Sequence, residues 1–403
     1  MNRSNTFKPE REPLQHTDTL QLNDRKVHGP VSFLNPTQAR FNPVNPSEDS
    51  QTARPSDVVP RTQTQRPGEA QVANAGYQWT SRNNRKGRHT LVYNQSDDSD
   101  AVYTIPRATN SIKEVLKVMF RMFTYFPVWD ISYLVAIIFT FGSLIWILNA
   151  LFTFLPYTNP SSQFPGEIVY GGGITAFIGC LVFEIGCALL MLEAINENRV
   201  GCFGWALEQV YDDYWSPGNR RDSTHVFPSI AHCFHHQQNR KNFLGLPPEL
   251  ARTRTSGMSV QFDTRLDGEK SWIWFPSRRE LRSHYFRDLG FLACPCLFVG
   301  MNVFCIAGLL GLPGIYSHLD TPAKVNGAYW IPQIIGGSGF AIGGLLFTIE
   351  TQRRWWLPAP GVLGWHIGFW SLVGGVGFTI GPTFGLWAED KHWAAYQANC
   401  SFF

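Results

Sequence analysis

Apolar residues are concentrated in five stretches of this 403-residue chain, at 131–156, 168–195, 289–315, 329–349 and 362–386. Each stretch is long enough to cross a bilayer as a helix, which takes about 20 residues. No Lys or Arg lies inside any of them. Buried helices of soluble proteins rarely reach this length without a charge. The pattern therefore predicts an all-α membrane protein, a polytopic bundle of five transmembrane helices.

The first 106 residues have the opposite composition, rich in Asn, Gln, Pro, Ser, Thr and charge. Such a segment buries too little apolar surface to offset its chain entropy, which is typical of disorder. We expect a disordered cytoplasmic tail over 1–106, an interfacial amphipathic helix over 107–127, a transmembrane hairpin over 131–195, a cytoplasmic loop over 196–288, a second hairpin over 289–349, a fifth transmembrane helix over 362–386 and a C-terminal tail over 387–403. Packing of 107–127 against the loop 196–288 is the alternative to its lying in the interface.

The basic residues alternate between the two sides of the predicted membrane. Three precede the first span, none lies in loop 157–167, thirteen lie in loop 196–288, one in loop 316–328 and two in loop 350–361. Short basic loops remain in the cytoplasm. The N-terminus is therefore predicted to be cytoplasmic and the C-terminal tail to lie on the opposite side, in a plasma membrane or an endomembrane.

One short motif recurs in all five spans. Gly-x-[Leu/Val/Asn]-x-[Phe/Trp]-x-[Ile/Leu] begins at Gly142, Gly179, Gly300, Gly343 and Gly374. Small residues allow membrane helices to approach closely, so we expect these five glycines at helix contacts. Repeated helices or hairpins that pack alike would give the same motif.

The helix motif resembles YrhK-type membrane domains. Residues 272–315, 328–340, 350–352 and 364–370 resemble uncharacterised multi-pass integral membrane proteins of filamentous fungi. The resemblance covers about 107–403 and implies a fungal source and a membrane location, with no reaction or ligand to carry over. Related chains continue into another helix after Phe403, which implies a sixth span in an untruncated form.

The composition and net charge limit the classes of partner that this chain is expected to bind. Charged residues make up only 16% of the chain and the net charge is +3, too small to indicate a nucleic-acid partner. Eight Cys in a chain of this length do not indicate a disulfide framework. The expected partners are the lipid bilayer and cytoplasmic proteins bound through the tail and loop 196–288.

Catalytic and metal-binding motifs are weak. His225, His232, Cys233, His235 and His236 cluster in loop 196–288, but their spacing fits no standard zinc site. The sequence carries no nucleophile elbow, P-loop or dinucleotide fingerprint. We expect no catalytic, cofactor-binding or metal-binding residue, no cofactor and no enzyme activity.

Glu184 lies near the middle of the second span, where a charge is costly. It is expected to be protonated, wetted by a cavity, or bonded to a polar group such as Asn302, Thr348 or Thr379. These four residues are the candidate intramembrane polar site. The sequence favours a membrane scaffold, adaptor or sensor first. A transporter or channel that uses Glu184 for coupling is the alternative, and a membrane-embedded enzyme is the third hypothesis.

Overall fold

The structure is a computed structural model that describes residues 20–43, 75–86, 90–93, 112–197, 203–204, 206–207, 225–226 and 272–387. Its helices are α1 (Ser81–Arg85), α2 (Ile112–Met122), α3 (Ile131–Thr158), α4 (Gly173–Ile195), α5 (Arg278–Ser283), α6 (Leu289–Leu310), α7 (Pro313–Tyr316), α8 (Pro322–Val325), α9 (Ile331–Glu350) and α10 (Leu363–Gly385). Its strands are β1 (Leu20–Leu22), β2 (Gln38–Pro43), β3 (Ala75–Thr80), β4 (Thr90–Tyr93), β5 (His225–Val226) and β6 (Trp272–Ile273).

Among the described residues, five helices are long and apolar enough to cross a membrane, as the sequence predicts: α3, α4, α6, α9 and α10. Their ends follow local chemistry. Asp130 and Asp288 are the N-caps of α3 and α6, each accepting a hydrogen bond from a backbone N–H of the first turn. The third span ends at Leu310 rather than at 315, because Pro313 cannot continue the helix and begins α7 instead. One π-helical segment precedes α4 (Glu167–Gly172) and another precedes α9 (Asn326–Trp330).

The spans stand side by side in the order α3, α4, α6, α9, α10, each packing against the next. Aromatic rings join the two ends of this row. The ring centroid of Trp146 in α3 lies 5.0 Å from that of Phe378 in α10 and 5.7 Å from that of Phe304 in α6. The rings of Phe183 in α4 and Phe340 in α9 lie 6.0 Å apart. The row therefore curls around these five rings, the aromatic centre, to which every span contributes.

Glycines set the closest contact, between α9 and α10. A side-chain carbon at Gly337, Gly344, Gly368 or Gly375 would lie within 2.5 Å of a backbone atom of the partner helix. Two of these glycines lie seven residues apart on each helix, which is two helical turns. The two backbones can therefore pack directly against each other along a shared seam.

Four of the five motif glycines face a neighbouring span so closely that an added side-chain carbon would lie within 3.0 Å of another atom: Gly142, Gly179, Gly300 and Gly343. The prediction is wrong for Gly374, because a carbon added there would meet no other atom within 4 Å. Its neighbour Gly375 makes the contact instead. One residue is a turn of about 100° around a helix, so the motif places a glycine in the right turn of α10 but on the wrong face.

Part of the predicted disordered tail is folded. β1, β2, β3 and β4 form an antiparallel sheet in that order, and α1 follows β3. Val27, Ala39, Phe41 and Trp79 are buried in this unit, which we call the cap. The prediction of disorder is corrected for 20–43, 75–86 and 90–93, and the rest of 1–106 lies outside the described residues. Polar composition hid the cap because it has so small an apolar core.

The cap lies at one end of the bundle, which we call the cap end. There α3, α6 and α10 begin and α4 and α9 end. Asn35 donates its backbone N–H to Arg287 O at 2.8 Å, and Gln38 Nε2 donates to Thr351 O at 3.3 Å. A sheet of this size with four buried apolar side chains is marginal by itself. Its stability therefore depends on these contacts with the bundle.

Candidate functional site

Helix α1 carries the main contact between the cap and the spans. Thr80 is its N-cap and accepts a hydrogen bond from the backbone N–H of Asn83 at 3.2 Å. Ser81, Asn84 and Arg85 are buried although all three are polar. Buried polar groups need partners, and a five-residue helix cannot supply them from its own backbone. The partners come from the ends of the spans.

Arg85 is inserted between two acids at the cap end. Its Nη2 donates to Glu350 Oε2 at 2.7 Å, and its Nη1 donates to Glu350 Oε1. Asp288 Oδ1 lies 3.6 Å from Nη1, and Ser81 Oγ donates to Glu350 Oε1. The Arg85, Asp288 and Glu350 side chains are only 6%, 8% and 1% exposed. This is the two-pronged geometry that makes Arg–carboxylate pairs strong and directional.

Burial and charge set the protonation of this group. Burial alone would lower the pKa of Arg85, but Glu350 and Asp288 together raise it well above its ordinary value, so the guanidinium stays charged. Burial, and to a lesser extent the nearby acids Glu197 and Glu350, raise the pKa of Asp288 to about 6, against the opposing attraction of Arg85. The pKa of Asp288, the second acid beside Arg85, therefore lies above that of an ordinary aspartate.

Gly290 makes room for the guanidinium. A side-chain carbon at this position, in the first turn of α6, would lie 1.6 Å from Arg85 Nη1. A residue with a side-chain carbon at position 290 could therefore be accommodated only if the guanidinium of Arg85 moved away. The glycine at the start of the third span is therefore part of the binding site for the cap.

A second ion pair lies beside the first. Lys86 Nζ donates to Glu193 Oε1 at 2.8 Å, and Ser132 Oγ donates to the same oxygen at 2.9 Å. Glu193 is 2% exposed and lies in the last turn of α4. One residue past that helix, Asn196 binds the backbone of Ile273 through both ends of its amide. The cap, two spans and the segment before α6 thus meet at one place.

Five residues form this site, which we call the ionic network: Arg85, Lys86, Glu193, Asp288 and Glu350. The cap supplies both cations and the ends of the spans supply all three acids. Buried ion pairs add little net stability, because desolvation offsets their attraction. Removing one partner costs about 3–5 kcal/mol, because the other charge is left buried and uncompensated. We therefore expect the network to contribute to the specificity of cap docking more than to its strength.

The sequence analysis missed all five residues. Arg85 and Glu350 are separated by 265 residues, and no local pattern joins them. A signal was nevertheless present. Glu193, Asp288 and Glu350 lie at the ends of apolar spans, and an ionisable residue that close to a span indicates a polar partner.

The predicted intramembrane site is only partly assembled. Asn302 Nδ2 donates to Glu184 Oε1 at 2.9 Å, which joins α6 to α4 near the middle of both helices. Thr348 and Thr379 do not join them, since each hydroxyl donates to the backbone carbonyl four residues earlier, at 2.7 Å and 2.8 Å. Asn302 is exposed on the outer face of the bundle. The Asn302 end of the pair is therefore at the surface of the spans.

Glu184 keeps one oxygen without a partner. Oε2 is buried and forms no hydrogen bond to any described residue. Cys180 and Cys187, on the same face of α4, are fully buried. A protonated carboxyl fits this position, since it removes the charge and leaves one hydrogen bond to Asn302 as a link between helices.

Cysteines and histidines assemble no metal site in the described part of the chain, where no group of three or more His, Cys, Asp or Glu is placed to hold an ion. Cys294 is buried and donates to Gly290 O at 3.2 Å, and Cys296 is a partly exposed free thiol. Within the histidine cluster, His225 lies in β5, and the other members lie outside the described residues.

Comparisons with known proteins add no family to this picture. No family model, no curated protein and no solved structure matches the chain.

Proposed function

We propose that this membrane protein is a non-catalytic scaffold or sensor, whose five-helix bundle holds the cap on its cytoplasmic side and presents it to protein partners. The observation that carries the proposal is the buried pairing of Arg85 with Glu350 and Asp288. The buried ion pairs of Arg85 and Lys86 hold a small folded unit at one end of the bundle. The resemblance to YrhK-type fungal membrane proteins, and the absence of enzyme activity, remain part of this proposal.

The sensor part of the proposal follows from how the cap is stabilised. With so small an apolar core, the cap is ordered largely by docking, so docking and folding of the cap are coupled. Any change that weakens the ionic network releases a unit that then loses its structure. Partners that bind the docked cap would therefore respond to the state of the network.

The test compares two arginines of the cap. Arg85→Gln should release the cap, because it leaves Glu350 and Asp288 buried without a cation, at a cost of about 3–5 kcal/mol. Arg25→Gln is the matched control, since Arg25 is exposed. Limited proteolysis of both proteins in nanodiscs should cut the cap faster only in Arg85→Gln. Proximity labelling in cells should then show partners of the wild type that are lost in Arg85→Gln and kept in Arg25→Gln.

Equal cleavage and identical labelling of the two variants would contradict the proposal. So would catalysed flux in proteoliposomes, because a scaffold should carry no solute- or proton-linked flux above that of empty vesicles. The same flux assay tests the second candidate function, which is transport.

Transport is that second candidate, favoured by the unpartnered oxygen of Glu184. If this carboxyl couples a proton or cation to movement of a solute, Glu184→Gln should fold normally and abolish pH-dependent flux. If Glu184 only links α4 to α6 through Asn302, the variant should behave like the wild type in every assay, because Gln keeps the shape and the hydrogen bond. The hydrogen bond between Asn302 and Glu184, which joins α6 to α4 directly, favours the link.

A further inference from the structure

The loop between α9 and α10 exposes two basic and two aromatic side chains in succession. Arg353, Arg354, Trp355 and Trp356 are all exposed, and the two tryptophans are 66% and 55% exposed. The guanidinium carbon of Arg354 lies 5.7 Å from the ring centroid of Trp356, a distance at which a cation and an aromatic face attract each other. We call these four residues the basic-aromatic loop.

The backbone of this loop is held in place from inside. Gln352 is 5% exposed. In the amide orientation that satisfies both of its ends, it donates to Trp355 O at 2.9 Å and to Arg354 O at 3.2 Å, and accepts from Trp365 Nε1 at 2.8 Å. Trp365 belongs to α10, so the loop is fixed to the next span. A ligand that binds the exposed side chains therefore meets a backbone that is already ordered.

The same combination occurs before two other spans at the cap end. Phe275 and Phe286, 78% and 53% exposed, flank the exposed Arg278, Arg279 and Arg282 before α6. Before α3, helix α2 and the residues after it expose Lys113, Lys117 and Arg121 together with Leu116, Phe120 and Phe123. At the opposite end, by contrast, Lys324 is paired with Asp320 at 2.6 Å. The exposed basic residues in the described connections between the spans are therefore concentrated at the cap end.

We propose that the basic-aromatic loop binds the headgroup of an anionic phospholipid. The guanidinium groups of Arg353 and Arg354 match the geometry of a phosphodiester, and Arg holds its charge at any physiological pH. Tryptophan, the residue type of Trp355 and Trp356, is enriched at the boundary between headgroups and acyl chains. Positive charge at this boundary complements a negative leaflet. The loop begins three residues after Glu350, so the lipid site borders the ionic network.

The experiment measures lipid selectivity with the full chain in phosphatidylcholine vesicles. Brominated phosphatidylserine or brominated phosphatidylcholine is added, and quenching of tryptophan fluorescence gives the association constant of one relative to the other. Wild-type protein should prefer phosphatidylserine. Arg353→Gln combined with Arg354→Gln should lower that preference about fivefold or more, the effect of losing one or two basic contacts at a membrane surface. Both tryptophans remain, so the readout is unchanged.

Lys324→Gln is the matched control, since it removes one positive charge at the opposite end. It should leave the preference unchanged. A wild type without preference for phosphatidylserine would overturn the proposal, as would a double variant that keeps the wild-type preference. Equal loss in Lys324→Gln would also overturn it, because net charge alone would then account for selectivity. Should the double variant unfold, the single variants Arg353→Gln and Arg354→Gln carry the same test, each expected to lose part of the preference.

Discussion

At the scale of single residues, the glycines of α10 show how much one position around a helix matters. Gly374 and Gly375 are neighbours in the chain, yet a side-chain carbon would meet no atom within 4 Å at Gly374 and would lie 2.4 Å from the backbone nitrogen of Ala341 at Gly375. Because α9 and α10 are in contact through their backbones here, no side chain can rotate to make room for the added carbon. The two residues therefore form a natural pair of test and control.

Gly375→Ala should destabilise the protein by about 1–3 kcal/mol, the usual cost of overpacking a close contact. Gly374→Ala should be neutral or slightly stabilising, because alanine is favoured over glycine in helices by about 1 kcal/mol where nothing is displaced. Thermal unfolding in detergent, followed by loss of monodisperse protein, measures both. Similar melting temperatures for the two variants would contradict the seam between α9 and α10.

At the scale of elements, the cap and the spans are held together by charges that neither could bury alone. The ionic network also makes this contact depend on pH through Asp288, whose pKa is raised to about 6 by burial. Its ordinary value is 3.8. Between these two values the folded protein holds a proton that the unfolded chain has released. Folding is then favoured at the lower pH, and this contribution is lost as the pH rises to about 6.

Asp288→Asn should remove that dependence. Asn caps a helix as well as Asp does, so the start of α6 should be kept while titration is abolished. Melting temperatures of wild type and variant are measured from about pH 4 to about pH 7, the range set by the ordinary and raised values. The wild type should lose stability relative to the variant as pH rises to about 6, with a constant difference above that. Two parallel curves would show that Asp288 does not titrate in this range.

At the scale of the whole molecule, the aromatic centre turns a row of helices into a bundle. Consecutive helices pack in chain order, and only the contact of Trp146 with Phe378 joins the first span to the last among the described ring contacts. Within a membrane no hydrophobic effect drives helices together, so close packing must do so. Rings that meet edge to face supply that packing, at about 0.5–1.5 kcal/mol for each pair.

Trp146→Ala should destabilise the bundle by about 3–5 kcal/mol, because it leaves a cavity where rings from other spans converge. Phe141→Ala on the same helix is the control, since Phe141 is 58% exposed on the outer face. It should cost much less. Unfolding in a mixed-detergent titration gives both values, and an equal loss for the two would contradict the stabilising role of the aromatic centre.

The orientation of the chain is the other whole-molecule prediction. Five spans predict that the two termini lie on opposite faces, and the distribution of basic loops predicts a cytoplasmic N-terminus. A tag at Met1 should therefore be digested by protease added to the cytoplasmic side of sealed vesicles, while a tag at Phe403 is protected. Detergent should expose both tags. Two tags digested from one side would contradict five crossings.

The five spans follow from the sequence alone, since the length and apolarity of a membrane helix are set locally by the bilayer. The sequence also indicates that Glu184 needs a polar partner, and Asn302 is among the candidates it offers. The packed face of α10, the contact of Trp146 with Phe378 and the position of Arg85 between Glu350 and Asp288 are visible only in the folded chain. Each of these depends on residues distant in sequence approaching one another, and such proximity leaves no periodic signal. The cap was hidden for the same reason: its polar residues are ordered by acids that lie on the spans.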